Sequence, residues 1–246
     1  MPDEGVAAFD VERSMLNVEC SNWFLLRSGK CAPAFNMALD DALLEAMPRL
    51  QQPVLRCYGW TEPAASFGYF QKFSEVAGAT LLRPLVRRPT GGGIVPHDAD
   101  WTYSFAFPIS DGWYSLKAVE SYQRVHEWIQ KAFARLNIAT ELAPCCKKSL
   151  PGQCFVGHET SDLLWHGEKI AGAAQRRTRD GLLIQGSVQP PPVPLACADW
   201  ETALSEVARQ EWGRAGAEFV PDGLLLQRVK QLTKEKYAAT AYNQKR

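Results

Sequence analysis

Four strand-like stretches follow one another at 53–60, 64–70, 82–89 and 101–108 with no long helical pattern between them, which argues against a strictly alternating βαβ chain. PVLRCYGW and AASFGYF are joined by a Thr-Glu-Pro turn, LRPLVRRP runs into three glycines, and the aromatic WTYSFAFP ends on proline. WFLLR at 23–27 reads as an earlier strand. Helical patterns lie to either side. Ala38, Leu39, Ala42, Leu43 and Ala46 form one apolar stripe, with Asn36 as the expected N-cap and Pro48 as the stop. Ala118, Tyr122, Val125, Ile129, Ala132, Phe133 and Leu136 form a longer one. Helical spacing resumes near Asp199 and after Pro221, while Arg179-Asp180-Gly181 predicts a hairpin between KIAGAAQRR and LLIQGSVQ. The expected fold is α+β, a mixed or antiparallel sheet flanked by helices. Residues 1–20 read as a loose lead-in and 21–246 as a single domain.

Composition removes several function classes. Hydrophobic residues make up 46% and charged residues 22%, so a disordered chain is excluded. Lys+Arg and Asp+Glu are 27 each, so there is no global basic field and nucleic acid is not an expected partner. No apolar run reaches the roughly 20 residues of a membrane helix. MPDEGVAAFDVERSM has acids where a secretory signal has cations. Seven cysteines, one pair vicinal at Cys145-Cys146, do not suit a disulfide framework, and a reducing cytoplasm is expected.

RRPTGGGIVPHD, residues 87–98, is the most informative segment. Three consecutive glycines allow close approach of main-chain N–H groups to a carbonyl or phosphate, and Arg87 and Arg88 could pair with an anion. The glycine run alone is equally compatible with an exposed turn carrying solvated arginines. The spacing fits neither a P-loop nor a dinucleotide fingerprint. His97 could orient a substrate or act as a base, or it could be satisfied by a structural partner.

PGQCFVGHETSDLLWHGEKIAGAAQRR, residues 151–177, is the second such segment. Cys154 lies between glycines, and Lys169 follows it where a strand enters an apolar stretch. A cation beside a thiol lowers its pKa and makes it a nucleophile, and a lysine can also meet an oxyanion. Taken singly, Cys154 is as readily a small packing residue and Lys169 a surface cation. Cys145, Cys146, Cys154 and His158 lack the C-x-x-C spacing of a zinc site, so no metal is expected. Cys20, Cys31, Cys57 and Cys197 read as packing residues. Arg176, Arg177 and Arg179, with Lys147 and Lys148, form either a docking patch for an acidic carrier or a solvated face.

Together, RRPTGGGIVPHD and KIAGAAQRR resemble the lipoate–protein ligase and octanoyltransferase family, whose fold is shared with the catalytic domain of biotin protein ligases. NMALDDALLEA and LRCYGWTEPAASFGYFQ extend the resemblance, which covers about residues 23 to 215. Cys154-Phe155, followed by the strand from Gly167 to Gln175, resembles the cysteine/lysine octanoyltransferase type within it. Pro89, Pro96, the Cys145-Cys146 pair and His158-Glu159-Thr160 depart from the family pattern.

The resemblance implies that Cys154 and Lys169 are catalytic. It implies that Arg88, Gly91, Gly92, Gly93, Ile94, Val95, His97, Gly172 and Ala173 bind the acyl substrate. The donor would be octanoyl acyl carrier protein and the acceptor the lysine of a lipoyl domain or of a glycine-cleavage H protein, with no cofactor. Burying six methylenes would contribute roughly 5 kcal/mol, which does not separate octanoyl from lipoyl. An ATP-dependent lipoate–protein ligase, needing ATP and magnesium, is the alternative. A non-catalytic acyl-binding accessory protein is a second.

Overall fold

The computed structural model describes residues 23–147 and 157–245. The expected lead-in over 1–20 lies outside the described residues, as do Cys20, Cys154 and Lys148. The architecture is α+β, as the strand run predicts. An eight-stranded mixed sheet carries the core. Its strands, in spatial order, are β11 (Ala217–Glu218), β1 (Phe24–Cys31), β2 (Val54–Trp60), β6 (Trp101–Pro108), β10 (Gly181–Val188), β9 (Glu168–Arg177), β8 (Leu163–Trp165) and β7 (Glu141–Leu142). β1 runs parallel to β2 and β11, and the other pairings are antiparallel. A three-stranded sheet, β4 (Leu85–Arg87), β3 (Ala64–Phe67) and β5 (Val95–His97), stands beside it.

Alternation along the strands divides two cores. Tyr103, Phe105 and Phe107 of β6 join Leu55 and Cys57 of β2 on one face. There they meet Val125, Trp128, Ile129 and Phe133 of α4 (Ala118–Arg135) and Trp200, Leu204 and Val207 of α5 (Cys197–Trp212). Val54, Tyr58 and Ala106 face the other way, against Met37, Leu39, Leu43 and Met47 of α1 (Pro33–Leu50) and Leu225 and Val229 of α6 (Gly223–Leu232). Because both faces are covered, every residue of β6 is buried. The short α2 (Phe73–Ala79) packs on the small sheet through Val76, and α3 (Gly112–Ser115) leads into α4.

Two expectations about α1 are corrected. The helix starts at Pro33, whose fixed φ suits the first turn, rather than after an Asn36 cap. Asn36 sits inside the helix, where its amide nitrogen donates to the carbonyls of Cys31 and Gly59 and its Oδ1 accepts from Arg56. Pro48 does not stop the helix, which continues to Leu50 and closes on Gln51 in the left-handed region. A proline so near the end removes only one intrahelical bond.

The chain end braces the glycine segment. After α6, a π turn at Thr233–Tyr237 leads to α7 (Thr240–Asn243). The Arg87 guanidinium is taken up by the carbonyls of Tyr69, Gln71, Tyr242 and Asn243. Arg87 therefore ties the C-terminal turn to the small sheet instead of facing an anion, which corrects the expectation for that residue. Among the described residues no helix is long and apolar enough to cross a membrane.

Candidate functional site

A cleft opens where the two sheets meet. Its apolar wall comes from Met37, Tyr58, Trp60, Val95, Ala173 and Ala174, and its polar groups are Ser66, Arg88, His97, Thr102, Lys169, Gln185 and Ser187. Gly92, Gly172 and Gly186 add bare main chain. An apolar slot with few convergent polar groups is the usual form of a small-ligand site.

Lys169 is the second residue of β9, and its side chain is 8% exposed. Its Nζ lies 2.7 Å from Oδ2 of the fully buried Asp162. Asp162 also accepts from the Tyr122 hydroxyl and, at 2.7 Å, from the Glu159 main-chain N–H. A two-residue turn at His166-Gly167, both with positive φ, folds β8 back on β9 and brings Asp162 to the lysine. Gly172 leaves the space the lysine stem needs: a methyl there would come within 2.8 Å of Lys169 Cε and 2.9 Å of Nζ. Gly172→Ala is expected to displace the ammonium while leaving the melting temperature within a few degrees of wild type. Any reaction that uses this ammonium should slow roughly 10- to 100-fold, as for a reacting group displaced by about an ångström. Steady-state kinetics beside a thermal melt would check this.

The glycine segment is held close to β3 by a missing side chain. A Cβ on Gly68 would lie 1.9 Å from the Gly92 carbonyl oxygen, so only glycine permits the approach. The Arg88 guanidinium gathers the carbonyls of Gly91 and Gly93 and reaches Ser66 Oγ. Arg88, Gly92, Val95 and His97 line the cleft. The Ile94 side chain turns away, into the satellite core with Phe67, Val76 and Leu85. Of the residues expected at the acyl site, the cleft thus brings together Arg88, Gly92, Val95, His97, Lys169, Gly172 and Ala173. Cys154 lies outside the described residues.

His97 is buried and stacks on Trp60 with centroids 3.8 Å apart. Nε2 lies 2.8 Å from Ser66 Oγ and Nδ1 2.8 Å from Asp100 Oδ2. His158, by contrast, does not line the cleft, and its main chain bridges to Lys147. His126 lies behind the site on α4, its Nδ1 2.9 Å from the Tyr122 carbonyl and its Nε2 without a partner among the described residues. Burial pushes this imidazole down from 6.5 to about 4. The folded state resists the proton that the unfolded chain accepts. The associated stability is therefore complete above 6.5 and is lost as pH falls toward 4. At 1.36 kcal/mol per unit the loss approaches about 3 kcal/mol. His126→Leu should flatten that part of the profile, measured as urea midpoints between pH 7 and 4.

Asp162, Ser66, Asp100 and Gln185 belong to the site and carry no local sequence signal. Two of the other thiols, Cys57 and Cys197, are held protonated by their surroundings. Burial pushes the Cys57 thiol up, and burial with Glu201 nearby takes Cys197 to about 12. Of the basic residues at the β9–β10 turn, Arg176 pairs with Asp41 at 3.1 Å, Arg177 donates to the Leu116 carbonyl, and Arg179 stays exposed. Among the described residues no three His, Cys, Asp or Glu side chains gather into a metal cluster.

Residues 32–189 match the family described as Lipoyl protein ligase A/B catalytic domain. A protein of Lysinibacillus sphaericus named Octanoyltransferase LipM is 34% identical over 181 residues, covering 68% of this chain and 66% of that protein. The match thus spans just under two thirds of that relative's length. An Exiguobacterium protein of the same name is 32% identical over 208 residues, covering 78% of this chain and 74% of its own. A solved lipoate-protein ligase A bound with ATP superposes with a TM-score of 0.73 at 18% identity, over 91% of this chain and 98% of that one.

Proposed function

Because the chain belongs to the lipoyl protein ligase A/B catalytic-domain family, we propose that it transfers octanoyl groups in protein lipoylation, by a covalent route through Cys154 and Lys169. The observation that supports it most is the Lys169 ammonium, fixed by Asp162 at the wall of a cleft that also presents apolar side chains, glycine main chain and the Arg88 guanidinium. That arrangement would set the Lys169 ammonium beside a thioester carbonyl as it becomes an oxyanion.

In this reading the Cys154 thiolate attacks the carbonyl of an octanoyl thioester on acyl carrier protein. The carrier thiolate leaves with the bonding pair, and octanoyl remains on Cys154. Lys169 stabilises the thiolate and then the oxyanion. The alkyl tail lies along Met37, Val95 and Ala173. The lysine amine of a lipoyl domain then takes the acyl group as an amide. A thioester lies above an amide in free energy, so the transfer proceeds without ATP.

One incubation tests this. The protein is mixed with octanoyl acyl carrier protein and an apo lipoyl domain, without ATP, and the products are weighed. Octanoyl mass on the enzyme, lost in Cys154→Ala, and on the lipoyl domain is the expected result. Modification that needs ATP and free acid, and survives Cys154→Ala, would establish the ligase reaction in its place.

A further inference from the structure

The transfer proposed above leaves one chemical demand without a residue: an acceptor lysine, with a pKa of about 10.4, arrives protonated and cannot attack. A connected set of groups at the cleft meets that demand. Ser66 Oγ, on the cleft wall, lies 2.8 Å from His97 Nε2, and His97 Nδ1 lies 2.8 Å from Asp100 Oδ2. The neighbouring bonds choose the proton positions. Arg88 Nη1 donates to Ser66 Oγ at 3.2 Å, so the hydroxyl is free to direct its own proton to Nε2. Asp100 Oδ2 accepts from Thr102 and Ser187 at 2.9 and 2.7 Å, and can accept the His97 Nδ1 proton as well. Stacking on Trp60 holds the ring plane. His97 and Asp100 also border a second open cleft, beside Lys30 and Asp98, which gives a captured proton a way out.

We propose that Ser66, His97 and Asp100 form a proton relay that converts the acceptor ammonium into the attacking amine, an inference that rests on the transfer reading. Ser66 Oγ takes one proton from the ammonium as its own passes to His97 Nε2, and Asp100 balances the imidazolium. The neutral nitrogen forms the C–N bond and the C–S bond breaks, its pair going to sulfur. The nitrogen's second proton passes to the departing sulfur, which leaves as thiol. Three ammonium protons are thereby accounted for: one on the amide, one on sulfur and one on His97. Ser66 is the member that meets the acceptor, and His97 and Asp100 act through it.

The test separates this from a structural role by changing the nucleophile. Enzyme is first charged with octanoyl thioester. Decay of the octanoyl-enzyme is then followed with an apo lipoyl domain and, separately, with hydroxylamine, an amine already neutral near pH 7. In His97→Asn and in Ser66→Ala the rate ratio, lipoyl lysine over hydroxylamine, is expected to fall roughly 100-fold or more. Ser66→Ala removes a single oxygen and serves if His97→Asn does not fold. An unchanged ratio, whether both rates hold or both fall together, overturns the relay and leaves the transfer reading standing. Failure of the wild-type protein to take up octanoyl mass overturns both.

Discussion

Replacing Lys169 with methionine is expected to slow octanoyl transfer by roughly 100- to 1000-fold, the range for removing one preorganised oxyanion donor. The same change should destabilise the protein, and the two effects have different origins. Lys169 is the only cation bonded at Asp162 in the described site, at 2.7 Å, and Asp162 is fully buried. Without it a carboxylate remains inside with only the Tyr122 hydroxyl and the Glu159 N–H. Breaking a buried ion pair from one side costs about 3–5 kcal/mol. Lys169→Met/Asp162→Asn should recover most of that loss in urea unfolding yet none of the activity. Equal recovery of both would mean that the lysine acts only through folding.

Asp40→Ala should cost stability on the same scale, about 3–5 kcal/mol, because it removes the carboxylate partner of Arg56. Both side chains are fully buried and meet at 2.7 Å. Arg56 reaches Ser28 and both oxygens of Asn36 as well. Asp40 gathers the Tyr58 and Ser104 hydroxyls and the Gln185 amide from three strands. Tyr58 and Gln185 line the cleft, so the floor of the site loses its anchor in the same step. Urea titration would measure the first effect. Octanoyl uptake at saturating donor, assayed well below the melting temperature, would measure the second. Asp40→Leu/Arg56→Met, which removes both charges, should unfold at higher urea than Asp40→Ala.

Patterning within single elements was open to reading in advance. The period of 3.6 over α4 marked Val125, Ile129 and Phe133 as one apolar stripe, and the structure packs that stripe on Tyr103, Phe105 and Phe107 of β6. Arg179-Asp180-Gly181 announced the β9–β10 hairpin, whose register sets Gly172 opposite Ser187. Helix ends were misread where a competing signal prevailed. Pro33 began α1 three residues before Asn36, and Asn36 had a better use bridging Cys31, Gly59 and Arg56.

By itself the sequence determined the α+β class, the β9–β10 hairpin and Lys169 as a residue at a strand start, while it left the glycine segment open between close main-chain approach and an exposed turn. These depend on neighbours along the chain, and local sterics and periodicity carry them. Only the tertiary structure decided that Arg87 ties down the C-terminal turn while Arg88 gathers the glycine carbonyls. The same holds for Asp162 fixing Lys169 and for Ser66, His97 and Asp100 forming one line. Buried polar groups must find partners wherever the fold supplies them, and those partners come from different strands and helices that no spacing in the chain reveals.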